Sequence, residues 1–384
     1  MIPSMFRKAM VGDGSTLSLD FTTGSLDPRL TFTRASTTAT YINSSGYVTT
    51  AGTNVARFDH DPTTLAPRGL LVEGTSTNLL NWSESFATSG GTNNNWADTS
   101  ITRTTGQADP ANGTTAIRFT ASAGNATVIS SAAIGTSAER TFSVWLRRVT
   151  GTGNIQYTQN NGTNWTTQAI TATWTRYTFT HTVDHRVGIR IVTSGDAIEM
   201  WGAMLEVGSG QSSYIATGAS QATRNADECS MTGTNFSSWY TQSQGTLLVA
   251  GRTSARYVDS AGFDFPAILT VDSNNHIGAA VWNGVAYGIV RAGGAFRLNY
   301  ATLATVNNNS AFKTAIAFAN ADYAGVANNG SPVTASSGSP PTTLNTLALG
   351  SNRAGTGNAY FGHVSLVKFW PTRLTNAQLQ SLTT

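Results

Sequence analysis

The sequence predicts an all-β protein: an irregular β-rich leader over residues 1–80, then two antiparallel β-sandwiches over 81–225 and 226–384, closed by a short helix. Three observations carry this. Apolar and polar residues alternate with period two in many short runs. Gly, Asn and Thr turns separate these runs at near-regular spacing. Thr, Ser, Asn and Gly are abundant while charged residues reach only 11%, well below the roughly 25% of ordinary soluble domains. Such a composition disfavours helix and favours strands and turns.

In the leader, TLSLDF alternates Leu17, Leu19 and Phe21 against polar positions, and LTFTRAS and GYVTTAG are similar. DPR, DPTTLAPRG and INSSG read as turns. The broken apolar runs predict a segment that does not fold alone and is ordered by partner subunits. Six strands follow: AIRFTAS, RTFSVWLRR, NIQYTQ, TRYTFTHTV, VGIRIVT and AIEMWGAMLEV. Alternation puts Phe142, Val144 and Leu146 on one face and Trp145 and Arg147 on the other. Likewise Val187, Ile189 and Ile191 oppose Arg186 and Arg190, so these arginines and Trp145 are expected on one sheet face. Glu199 and Trp201 share a face, and Glu206 takes the opposite one if that strand is unbroken. After Ala226, GTLLVAGR, FDFPAILTV, HIGAAVW, FRLNYAT, FKTAIAFA, YAGVANNG, LNTLALG and FGHVSLVKFW read as strands, with Asn-Gly a strong hairpin turn. Thr375 and Gln378 have capping-box spacing ahead of a Leu374, Leu379, Leu382 stripe.

The chain has 384 residues, 40% of them apolar, enough for real cores. Net charge is only +3 and no Lys/Arg run exists, so the electrostatic footprint of a nucleic-acid binder is missing. Cys229 is the single cysteine; neither a disulfide framework nor a cysteine metal site is expected. No apolar stretch is long enough for a membrane span, and the opening MIPSMFRKAMVGDG lacks the apolar region of a signal peptide. Synthesis in a reducing cytosol is the expectation.

No catalytic residues, metal or cofactor are expected. The sequence has no E-x-D-x-x-E strand motif, no G-x-S-x-G elbow and no G-x-x-x-x-G-K-[ST] loop. Asp259 and Asp264 flank a turn, FDHDP precedes a turn, and His181 and His185 would share a face only in a helix. The rings remain. Trp174, Tyr177, Phe179, Trp239, Phe369 and Trp370 are expected in cores. Trp165, in the polar run GNIQYTQNNGTNWTT, either packs on its hairpin or stacks on a sugar. Tyr157 shares a strand face with Ile155, and Trp145 beside Arg147 suits a ligand or a subunit contact. The candidate ligand-binding set is therefore Trp165, Tyr157, Trp145, Arg147 and Arg190, with arginine forks suited to carboxylates.

Three stretches carry a family resemblance. LDPRLTFTRASTTATYINSSG with VARFDHDPTTLAPRGLLVEGTSTNLLNWSESF resembles the N-terminal signature of phage head-spike, fibre and tail proteins. RTFSVWLRR through IEMWGAMLEVG resembles carbohydrate-binding jelly rolls. FKTAIAFANADYAGVANNGSPV and FGHVSLVKFWPTRLTNAQLQSL resemble concanavalin A-like (laminin-G-type) lectin domains. The resemblance implies a jelly roll, then a concanavalin A-like sandwich, in a non-enzymatic virion protein made in the host cytoplasm. Its implied partners are capsid or tail proteins, host-surface polysaccharide and two further copies in a homotrimer. It also implies Glu84 as the candidate ligand of a structural calcium. Two rival readings stay open: a structural cement without glycan binding, and a glycan depolymerase.

Overall fold

The computed structural model describes residues 12–86, 96–131, 138–183, 186–254, 263–351 and 360–384. Strands make up 54% and helix 4%, so the all-β expectation holds, and every strand pairing among the described residues is antiparallel. The closing helix Asn376–Leu382 has its capping box: the Gln378 amide donates to Thr375 Oγ1, and Gln378 Oε1 accepts from the Thr375 amide. Among the described residues no helix is long and apolar enough to cross a membrane.

The middle sandwich pairs two five-stranded sheets. One runs Thr175–Val183, Ala138–Thr150, Ala197–Val207, Ala116–Ala121, Ile101–Gln107; the other runs Thr166–Gln168, Ile155–Thr158, Gly188–Ile191, Ala126–Ser130, Trp96–Thr99. Phe142, Val144 and Leu146 from the first sheet meet Val187, Ile189 and Ile191 from the second in one buried core, as alternation predicts. The two arginine-bearing faces are thereby separated. Trp145 and Arg147 lie outside one sheet and Arg190 outside the other, so the single Arg/Trp face expected from the sequence does not exist. Alternation fixes the two sides of a strand but not which sheet the strand joins.

A bulge corrects a second expectation. Gly202, at φ +63, makes the strand Ala197–Val207 one residue longer than its partner between Ser143 and Trp145. Parity flips there: Ile198 and Met200 face the core before it, Ala203 and Leu205 after it. Glu206 thus turns to the side of Glu199 and Trp201. A Cβ at Gly202 would stand 2.9 Å from Trp145 Cε3, so glycine also admits the indole.

The outer sandwich is built from both ends of the chain. Its larger sheet orders Val333–Ala335, Asp322–Ala327, Ala311–Ala319, Gly245–Thr253, Phe361–Trp370, Pro67–Glu73 and Arg57–His60, with Leu17–Asp20 also on Phe361–Trp370. The facing sheet orders Thr31–Thr33, Glu228–Thr232, Thr346–Ser351, Asp264–Asp272, Asn275–Trp282, Val285–Ala292 and Ala295–Thr305. Leu17, Leu19 and Phe21 share one core with Val249, Leu269, Ile316 and Phe369. The expectation that residues 1–80 await partner subunits is therefore corrected over the described part: its apolar alternation is consumed by strand pairing within the same chain. The two-stranded ribbon Ser76–Asn78 with Ala222–Arg224 is the neck where the middle sandwich leaves and rejoins the outer one.

Above that neck, charges are buried together. Arg34 Nη1 donates to Asp227 Oδ1 (2.9 Å), and Arg57 Nη1 donates to Glu73 Oε2 (2.7 Å). Arg57 also pairs with Asp227, and Arg224 Nε lies 3.5 Å from Glu73 Oε2. All five side chains are closed off from solvent. Burial alone would push Glu73 up, but Arg224, Arg57 and the Ser213 donors hold its carboxyl well below the usual range. Burial likewise works against the Arg57 charge, and Asp227 and Glu73 outweigh it. Because Ser213 belongs to the segment returning from the middle sandwich, donating to Glu73 through its amide (2.7 Å) and its hydroxyl (2.6 Å), the network pins the two sandwiches to each other.

Candidate binding groove

Where the middle sandwich lies against the outer face of the larger outer sheet, a cavity of about 410 Å³ opens. A second, of about 530 Å³, adjoins it; the two share Arg176, Gln211 and Asn309 in their walls and form one groove. Pockets of this size at domain junctions are the usual place for small ligands.

The strand Thr175–Val183 supplies one wall. Its alternation puts Arg176, Thr178 and Thr180 on the groove side, while Phe179 enters the core. The Arg176 guanidinium stands 4.6 Å over the Trp145 ring and donates to Ser212 O (2.7 Å) and Ser143 Oγ (2.9 Å). Burial, against the attraction of Glu206 and Glu73, pushes its pKa down to about 10. Half-buried Trp174 precedes it. Gln211 is held by Thr178, whose hydroxyl donates to Oε1 (2.8 Å). The opposite wall carries Asn308 and Asn309. The floor is Asp59 and His363, joined at 2.8 Å. The groove thus combines indole rings, amides and hydroxyls around the Asp59–His363 pair.

The five expected ligand residues divide. Trp165 and Arg190 come together: the guanidinium sits 4.5 Å over the half-buried indole, and Arg190 Nε donates to Gln156 Oε1 (2.7 Å). That cation covers one face of the ring, and Gly162 lies against its benzo edge. Tyr157 is corrected. It stacks on Phe179 across the middle core at 3.7 Å, because its Ile155 parity points inward. Trp145 is only 8% exposed and packs edge-on against Trp201 (5.2 Å) and Tyr214 (5.4 Å), in the wall of the groove. Leader residues Ile42 and Val48 join the same apolar cluster and line the groove with it. Arg147 is tied to Glu199 (2.5 Å) and stacks on Trp174 (4.9 Å).

Of the rings expected in cores, Phe179, Trp239, Phe369 and Trp370 are buried, Tyr177 packs half-buried against the middle core, and Trp174 lies half-buried at the groove. Glu84 accepts from Tyr214 Oη (3.0 Å), and burial raises its pKa. Among the described residues no three His, Cys, Asp or Glu side chains gather as metal ligands. Asp259 and His185 lie outside the described residues. Asp59 and His363 went unread as a pair in the sequence, since 304 positions separate them.

No family model matches this chain, and no curated protein matches it. Several solved structures show partial likeness. The CBM40 module of a Ruminococcus gnavus IT-sialidase, bound to α2,6-sialyllactose, is 16% identical, with a TM-score of 0.32 over 38% of this chain and 85% of that one. Domain 4 of a Geobacillus stearothermophilus GH43 extracellular arabinanase, in complex with arabinotriose, is 14% identical, with a TM-score of 0.32 over 46% and 82%. Domains LG4-5 of the mouse laminin α1 chain are 9% identical, with a TM-score of 0.25 over 69% and 92%. Similarity this faint leaves the function to be read from the chain's own residues.

Proposed function

We propose that this chain is a non-catalytic glycan-binding protein and that the inter-sandwich groove holds the glycan. The observation that carries the reading is the groove itself, which places Trp174 beside the side chains of Gln211, Asn309 and Thr178 within two joined cavities. Indole faces pack against the C–H faces of sugar rings, and fixed amides and hydroxyls exchange hydrogen bonds with their hydroxyls. The same kind of ligand occurs with two of the solved structures above, sialyllactose and arabinotriose. The finer reading is a phage appendage protein that meets host-surface polysaccharide. Its support is the leader's resemblance and a surface rich in Thr, Ser and Asn that costs little to desolvate against other subunits.

Immobilised bacterial capsular polysaccharide and lipopolysaccharide test the coarse reading. The wild-type chain is expected to be retained, and Trp174→Ala to bind at least tenfold more weakly while still melting cooperatively. Equal retention of both proteins would remove the groove from the assignment. Antibody labelling of phage particles tests the finer reading.

A further inference from the structure

His363 sits at the floor of the groove, only 6% exposed. Its Nε2 lies 2.8 Å from Asp59 Oδ2. A carboxylate only accepts, so in the neutral ring Nε2 carries the hydrogen and Nδ1 keeps a lone pair. Asp59 is fixed in turn, because its Oδ1 accepts the Ile42 amide at 2.6 Å. Yet His363 Nδ1 is buried and meets no hydrogen-bond partner. A buried acceptor without a partner costs roughly 1–3 kcal/mol, and native proteins leave few of them. The residue itself lines the cavity, and Asp59 on the leader strand Arg57–His60 locks the orientation of its imidazole.

We propose that His363 is the hydroxyl-reading residue of the groove: Nδ1 accepts a hydrogen bond from a hydroxyl of a neutral oligosaccharide. This rests on the glycan reading above and adds the ligand class. The class follows from the charges around the ring. Asp59 and Glu73 line the cavity from the leader strands, Arg68 from the same side and Arg176 from the middle sandwich, two of each sign. Arg252, the strand neighbour of His363, donates to the Asn309 carbonyl. The cavity walls thus carry no net charge to attract an anionic sugar, whereas an acceptor with no donor asks for an O–H.

Isothermal titration of the full chain with neutral hexaoses of glucose and of mannose, and with a galacturonate trimer, tests this at pH 8. His363→Gln keeps a donor for Asp59 but puts nothing at the Nδ1 position; His363→Asn returns a polar atom there. The wild type is expected to bind a neutral hexaose. His363→Gln should lose at least tenfold, with His363→Asn in between. Wild-type binding with His363→Gln unaffected would overturn the inference and leave the glycan reading standing. So would a preference for the galacturonate. No wild-type binding to any of the three would overturn the glycan reading and this inference with it.

Discussion

The two sandwiches solve the same packing problem with different chain routes. The middle one is contiguous: its strands fall between Trp96 and Val207, and its core is aliphatic and aromatic. The outer one is discontinuous. It joins strands from before Asn78 to strands after Ala222 and depends on a closed network of five charged side chains where the segments meet. The contrast teaches that the middle sandwich is an insertion into the outer one, and that each is stabilised by a different kind of interaction.

Excision gives the largest effect. Replacing residues 79–221 by an Asn-Gly turn converts the paired ribbon Ser76–Asn78 and Ala222–Arg224 into an ordinary hairpin. The outer sandwich is expected to fold alone, visible as one calorimetric transition where the whole chain gives two. An unfolded product would break the comparison. Next comes Asp227→Ala, which leaves buried Arg34 and Arg57 without their shared carboxylate. Removing one partner of a buried pair costs about 3–5 kcal/mol. Denaturant melts should show that loss in the outer transition only.

Acid should discriminate in the same direction. The Glu73 carboxyl is held far below its ordinary value of 4.5. Its contribution is complete above the unfolded carboxyl range and is lost as pH falls below it. Between pH 5 and pH 2 the outer transition should therefore move to lower temperature more steeply than the middle one. The smallest change sharpens the other half. Ile189→Val removes one methylene from the middle core and is expected to cost about 0.5–1.5 kcal/mol, confined to the middle transition.

Much of the fold is legible in the sequence because strands announce themselves locally. TRYTFTHTV and AIEMWGAMLEV coincide with the strands Thr175–Val183 and Ala197–Val207, and the capping box lies within four residues. What stayed hidden is whatever depends on distant partners. Alternation placed Trp145 on the non-core side of its strand but could not reveal that Ile42 and Val48 join its cluster there. Arg34, Arg57 and Arg224 read as scattered cations, since nothing local marks a guanidinium for burial. The groove was illegible for the same reason: Arg176, Asn309 and His363 come from three separate parts of the chain. Trp165 and Arg190 were each named from local pattern, a polar turn and strand alternation, and the pairing of Ile155–Thr158 with Gly188–Ile191 is what brings them together.

The pairing of Leu17–Asp20 with Phe361–Trp370 has a consequence for biosynthesis. Thr16 meets the carbonyl of Phe369, 353 positions later. At about 5–20 residues per second, the first strand waits roughly 20–70 s on the ribosome for the neighbour that covers its edge. The middle sandwich can complete itself during that interval, so it emerges folded between two halves that are not. A chain that stops before Phe361 carries the leader strands without their central partner, so the outer sandwich closes only once translation has passed Trp370.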